Sequence, residues 1–172
     1  FGLIRPYKGF DILLKSIALL KEKKIDFHLL VAGECYDNKV KYMNLINDLK
    51  ISEFITWHES YIPDSEVTTY FSAADVVALP YRTASQSGIA QIAYHYDIPI
   101  IVTDKGGLPE IVEEGKSGFI INSEDYIGLS NILYEKISKS KFNKMGQFIS
   151  KYKSRFSWDY FVSGIEEVYE KI

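Results

Sequence analysis

Ile98-Pro99-Ile100-Ile101-Val102-Thr103-Asp104-Lys105-Gly106-Gly107-Leu108-Pro109-Glu110 is the stretch that decides how this chain folds. A short run of β-branched residues without polar alternation is the pattern of a strand buried on both faces, and such strands belong to parallel sheets. The run ends in a polar, glycine-rich turn, and Leu108-Pro109-Glu110 opens a new helix, because proline suits a first helical position. One strand, one turn and one helix start therefore follow each other directly.

The same unit recurs along the chain. Strands are expected at Phe1 to Ile4, Phe27 to Ala32, Ile55 to Trp57, Val76 to Leu79, Ile98 to Val102 and Phe119 to Ile121, six in all. Between the first two, Leu13, Ile17 and Leu20 recur at helical spacing within Gly9 to Glu22 and would face the sheet. A second helix is expected from about Asp37 to Leu49. Pro63-Asp64-Ser65-Glu66 starts a third, with Asp64 as cap ahead of Val67 to Ala73. Gly88 to Tyr96 forms another, and a short one follows Gly107. This alternation predicts an α/β fold: a Rossmann-like, doubly wound, six-stranded parallel sheet with helices on both faces. The last 50 residues form a helical C-terminal extension, from Ser123 to Lys139, Lys141 to Arg155 and Ser157 to Ile172. In the final helix Trp158, Phe161, Val162, Ile165, Val168, Tyr169 and Ile172 share one stripe, expected to pack on a partner surface, with Ser157 as cap.

The bulk numbers bound the function. A chain of 172 residues is one domain's worth of sequence. Its 47% hydrophobic and 25% charged residues suit a globular protein and not a disordered one. The net charge of -3 excludes a whole-domain nucleic-acid footprint, so no nucleic-acid partner is expected. Cys35 is the single cysteine and His28, His58 and His95 are scattered, which points to no disulfide, no metal site and a cytoplasmic compartment. No apolar run reaches the roughly 18 residues of a membrane span. Lys21 to Lys24 and Lys136 to Lys144 read as solvated helix ends and faces. Phe1-Gly2-Leu3-Ile4 reads as the end of a buried strand with no lead-in, so residues 1-172 are expected to be a fragment of a longer protein.

Ligands of open parallel sheets bind beyond the carboxyl ends of the strands. After the first strand, Arg5-Pro6-Tyr7-Lys8-Gly9 puts two cations in one turn at a helix start, where free N–H groups also favour an anion such as a diphosphate. Gly33 after the second strand leaves room for a ligand or another backbone. After the fourth strand the polar loop 80-88 offers Ser87 and Gly88 to a phosphate, with Ser85 and Gln86 as side-chain partners. Gly106 and Gly107 allow close approach after the fifth. The spacing does not match G-x-G-x-x-G, and no nucleophile elbow, P-loop or carboxylate pair is present.

Taken in order, Phe1-Gly2 through Lys8-Gly9, Val31-Ala32-Gly33, Ala73-Ala74-Asp75-Val76, Leu79-Pro80, 99-104, 106-112, Gly115 and Gly118 resemble the C-terminal domain of the retaining, metal-independent glycosyltransferases with the GT-B fold, the glycosyl transferases group 1. The resemblance covers nearly the whole chain. It implies one half of a GT-B fold: a nucleotide-sugar donor-binding domain whose acceptor lies on an N-terminal domain. It implies a diphosphate held by Lys8, by Arg5 as a shifted substitute for an arginine the family places where Leu3 stands, and by Gly9, Ser87 and Gly88. It places the nucleotide base near His58, Tyr61 and Ile62, and implies no cofactor beyond the nucleotide-sugar substrate. Two family glutamates that contact sugar and ribose fall on Ala84 and Ile92, so Ser85, Gln86 and Gln91 are the neighbours left to remake those contacts. The catalytic groups of such an enzyme would lie outside this fragment, which alone would be inactive. Polysaccharide biosynthesis in the cytoplasm, with peripheral membrane association only through the full-length protein, is the family's common setting. Two alternatives remain open: a degenerate, non-catalytic GT-B-like binding domain, and an enzyme like the nucleotide-sugar 2-epimerases.

Overall fold

The structure, a computed structural model, describes residues 1–139 and 142–171. Lys141, the expected start of one helix, and Ile172, on the final apolar stripe, lie outside the described residues.

Among the described residues five strands form, all in parallel ladders. β1 (Leu29–Ala32) pairs with β2 (Ile55–His58), Leu29 opposite Ile55 and Ala32 opposite His58. β3 (Val77–Leu79) pairs with β4 (Ile100–Thr103), and β4 with β5 (Gly118–Ile121). The result is two sheets, β1-β2 and β3-β4-β5, in place of the expected six-stranded one. The missing strand is Phe1 to Ile4, of which only Ile4 makes a bridge, to Cys35. The physical reason is its position. Gly2 N–H bonds Ala32 O and Ile4 N–H bonds Glu34 O, both at 2.8 Å, so the segment meets β1 only at its last residue and otherwise runs beside the turn that follows it.

Helices cover both sides of the sheets. α1 (Phe10–Glu22) packs on α5 (Tyr126–Ser138) and α2 (Lys39–Asp48), burying Phe10, Ile12, Leu14, Ile17 and Leu20. α3 (Asp64–Ser72) contributes Phe71 to the core, and α4 (Gly88–His95) packs against β3 and α6 (Phe142–Tyr152). β4 is buried along its whole length, as its unbroken β-branched run requires. Two polar side chains in the core are paired, the Tyr94 hydroxyl with Ile111 O at 3.0 Å and Ser117 Oγ at 2.9 Å, and Thr103 Oγ1 as donor to Tyr81 O at 2.6 Å, whereas the buried Ser130 Oγ and Trp57 Nε1 have no partner among the described residues.

Three expectations change. Asp64 is the first helical residue of α3 and makes no capping bond; Pro63 holds the cap position, so the carboxylate acts only through its charge in the first turn. The helix after Gly107 is a single 3-10 turn, Pro109–Ile111. α7 (Trp158–Tyr169) is capped by Ser157 as expected, yet it buries none of its apolar stripe among the described residues, and Trp158 is 80% exposed. No described helix is long and apolar enough to cross a membrane.

Candidate functional site

The carboxyl ends of the strands gather three loops. The turn after Ile4 is a 3-10 turn, Pro6–Lys8, that hands over at Gly9 to α1, and no side chain caps that helix. Its position is fixed from the β3 side: a Cβ on Gly9 would stand 2.0 Å from Pro80 O, and Arg82 N–H bonds Tyr7 O at 2.7 Å. The start of α4 is adjacent, since Ile89 Cδ1 lies 3.5 Å from where a Gly2 Cβ would be. Ser87 stands at the cap position of α4 without bonding the helix through its side chain. Both helix starts therefore keep N–H groups that no side chain takes up.

Lys8 is the cation this arrangement isolates. It is half-buried, its Nζ lies 5.8 Å from the Tyr81 ring centre, and it has no carboxylate partner among the described residues. Burial, followed by the nearby Arg5 charge, lowers its pKa. Arg5 itself is exposed and leans the other way, its guanidinium 5.5 Å from the Tyr36 ring centre. Tyr81 continues the contact chain: burial raises its pKa, and the Ser87 hydroxyl acts in the opposite sense through a hydrogen bond. Lys8, Tyr81 and Ser87 thus share one neighbourhood.

Sequence reasoning gives no role to Arg82, which proves to be the lock of the site. Its guanidinium forks onto Asp11 Oδ1 and Oδ2, both at 2.8 Å, reaches Pro6 O at 3.0 Å, and meets Glu124 at 2.5 and 3.1 Å. These bonds join the loop after β3, the first turn of α1 and the segment after β5. Two carboxylates already occupy Arg82, so it positions the turn and is not a free anion partner. Its partners stand 71 and 42 residues away in sequence, so no local motif signals the cluster.

The glycines named from sequence serve the chain's own backbone. A Cβ on Gly33, at φ +131, would meet Gly2 O at 2.2 Å. One on Gly106, at φ +55, would meet Ala84 O at 1.6 Å, and one on Gly107 would meet the Gln86 side chain at 2.4 Å. Gly106 and Gly107 are thereby the floor under loop 84–86, and Ser85 O accepts the Gly107 N–H at 2.9 Å. Ser85, Gln86 and Gln91 are exposed, whereas Ala84 and Ile92 pack against the core. On the far side, His58 Nδ1 is within 2.8 Å of Tyr70 Oη and its carbonyl accepts Gly33 N–H at 3.0 Å. Tyr61 is exposed and Ile62 is buried.

A Rossmann-like α/β domain with cations and helix starts at the carboxyl edge of its strands is the class this geometry defines. The comparisons narrow it. The pattern of the family described as "Glycosyl transferases group 1" matches residues 1–137, and the chain belongs to that family, with the GT-B fold. The chain is 26% identical over 178 residues to a D-inositol 3-phosphate glycosyltransferase of Corynebacterium urealyticum, an alignment covering 99% of this chain and 42% of that protein. The chain thus spans under half the length of that curated relative. In structure it is similar to the C-terminal domain of a glycosyl transferase group 1 family protein of Francisella tularensis, with TM-score 0.79 and 21% identity over 90% of this chain and 82% of that one. It is also similar to an Anabaena protein solved in complex with UDP-glucose, with TM-score 0.78 and 18% identity over 99% of this chain and 48% of that one.

Proposed function

We propose that this chain is the donor-binding domain of a retaining glycosyltransferase: it holds a nucleotide-diphosphate sugar for transfer to an acceptor carried by a separate N-terminal domain. The observation that carries the reading is Lys8, a half-buried cation without a carboxylate partner among the described residues, beside two helix starts whose N–H groups no side chain occupies. A buried charge costs free energy unless an opposite charge meets it, so a bound diphosphate is its natural partner. That the similar Anabaena protein was solved with UDP-glucose supports a nucleotide sugar as the ligand.

In this reading Lys8, Arg5 and the N–H groups of Ser87 and Gly88 offset the charge that grows on the departing diphosphate as the glycosyl bond breaks, which is where preorganised donors contribute most; the Gly9 N–H, expected among these donors, is already given to Pro6 O at 3.3 Å. Ser85, Gln86 and Gln91 are the exposed polar side chains near the sugar, and His58, Tyr61 and the Ile62 backbone line the base side. Catalysis needs the groups of the acceptor domain, and the 172 residues alone bind without turnover.

Calorimetric titration of UDP, GDP and ADP into the wild-type chain and Lys8→Ala tests this. One nucleotide should bind, and Lys8→Ala should weaken it roughly tenfold or more, the loss expected for a charged hydrogen bond worth about 1.5 to 3 kcal/mol. A second reading, a non-catalytic binding domain, is favoured by Ala84 and Ile92, which pack where family acids would reach the donor. Absence of binding for all three nucleotides would select it.

A further inference from the structure

Ser87 and Ser157 hold the same position before two helices and behave differently. Each stands at a cap position with extended backbone, Ser87 at φ -138 and ψ 114 before α4 and Ser157 at φ -76 and ψ 156 before α7. Ser157 Oγ accepts the Tyr160 N–H at 3.2 Å, as a capping serine does. Asn38 and Asp125 likewise accept N–H groups of α2 and α5. Ser87 is buried, yet its side chain accepts none from α4. Its hydroxyl hydrogen-bonds instead with the phenol of Tyr81. The Gly88 and Ile89 N–H groups that open α4 are left without a partner among the described residues, while Ala90 N–H turns back to Ser87 O at 3.2 Å.

Tyr81 is held where it can keep that hydroxyl in place. It is 5% exposed, its carbonyl accepts Thr103 Oγ1 from β4 at 2.6 Å, and its ring meets Tyr7 edge-on at 5.8 Å. The same ring lies 5.8 Å from Lys8 Nζ. A Cβ on Gly2 would stand 3.6 Å from Lys8 Nζ and 3.5 Å from Ile89 Cδ1, so the ammonium stands beside the uncapped start of α4. We propose that Tyr81 is a positioning residue of this anion site, a role that rests on the donor-binding reading: by holding the Ser87 hydroxyl it keeps the first N–H groups of α4 open for the diphosphate that Lys8 meets. The serine side chain is otherwise a competitor of the ligand. Without the phenol, rotation about one bond brings Ser87 Oγ within reach of Ile89 or Ala90 N–H, where a capping serine bonds. A capped start has fewer free donors for an anion while the helix gains a bond, so affinity and stability move in opposite directions.

The test titrates UDP, GDP and ADP by calorimetry into the wild-type chain, Tyr81→Phe, the double variant Tyr81→Phe with Ser87→Ala, and Lys8→Ala, and takes the urea midpoint of each. Tyr81→Phe keeps the ring beside Lys8 and loses only the hydroxyl. It should bind the nucleotide about fivefold more weakly, the worth of a typical capping bond, with a urea midpoint unmoved or raised. Adding Ser87→Ala removes the capping oxygen and should restore most of the lost affinity. A merely structural role would lower affinity and midpoint together and leave Ser87→Ala without effect, and that result overturns the proposal. So does wild-type affinity in Tyr81→Phe where Lys8→Ala has lost binding, an outcome that leaves the donor-binding reading standing. Failure of all three nucleotides to bind wild type overturns both.

Discussion

Replacing Arg82 by Ala tests what fixes the turn that carries Lys8. The side chain is about one-third exposed and its Asp11 partner only 12% exposed, so the pair stands between a surface bridge and a buried one. Surface pairs contribute about 0 to 1 kcal/mol and removal of one partner of a buried pair costs about 3 to 5. The intermediate exposure and the bidentate geometry place Arg82→Ala at about 2 kcal/mol, read as a shift in the urea midpoint at constant slope. Arg82→Lys should recover only part of this, because an ammonium keeps the charge but lacks the fork. The pH dependence carries a sign. Burial pushes the Asp11 carboxyl up, but the hydrogen bonds and charge of Arg82 outweigh it and hold its pKa below the ordinary 3.8. A depressed carboxylate contributes stability above its unfolded pKa and loses it as pH falls through the folded one. Wild type should therefore lose this increment in acid below the usual carboxylate range, and Arg82→Ala should lack it. A loss under about 0.5 kcal/mol, with the acid slope unchanged, would refute the claim that Arg82 clamps the site.

One further outcome is expected. Gly106→Ala should cost at least about 2 kcal/mol in the same assay, because the new Cβ meets the Ala84 carbonyl at a backbone φ that alanine rarely adopts. An unchanged midpoint would mean that loop 84–86 swings free of the β4 turn.

Most of the fold was legible because buried parallel strands announce themselves. Val31-Ala32, Leu79 and Ile100 to Val102 are strands whose neighbours in sequence need little else to be read. Boundaries moved where a local signal was ambiguous: Ile98 and Pro99 precede β4, and Thr103 extends it. Phe1 to Ile4 has strand composition but meets only the last residue of β1 and the turn beyond it, a matter of position that composition does not record. The α7 stripe was read correctly as amphipathic, yet periodicity says nothing about what covers it. At the site, Lys8 was visible because cation, turn and helix start are contiguous. The Arg82 cluster was not, since its members come from distant segments, two loops, a 3-10 turn and the first turn of α1, that only the folded chain brings together. The glycines were readable as close approaches, though not what would approach: the backbone of Gly2 and of Ala84.

The central claim is that Lys8 meets the diphosphate of a nucleotide sugar. Selective 15N labelling of lysine side chains, followed by NMR during titration with the nucleotide that binds, reads this at the atom concerned. The account predicts that the Lys8 Nζ signal moves with occupancy, that a nucleoside lacking phosphate leaves it in place, and that added salt weakens the response by screening. A Lys8 signal unmoved at saturating nucleotide would contradict it.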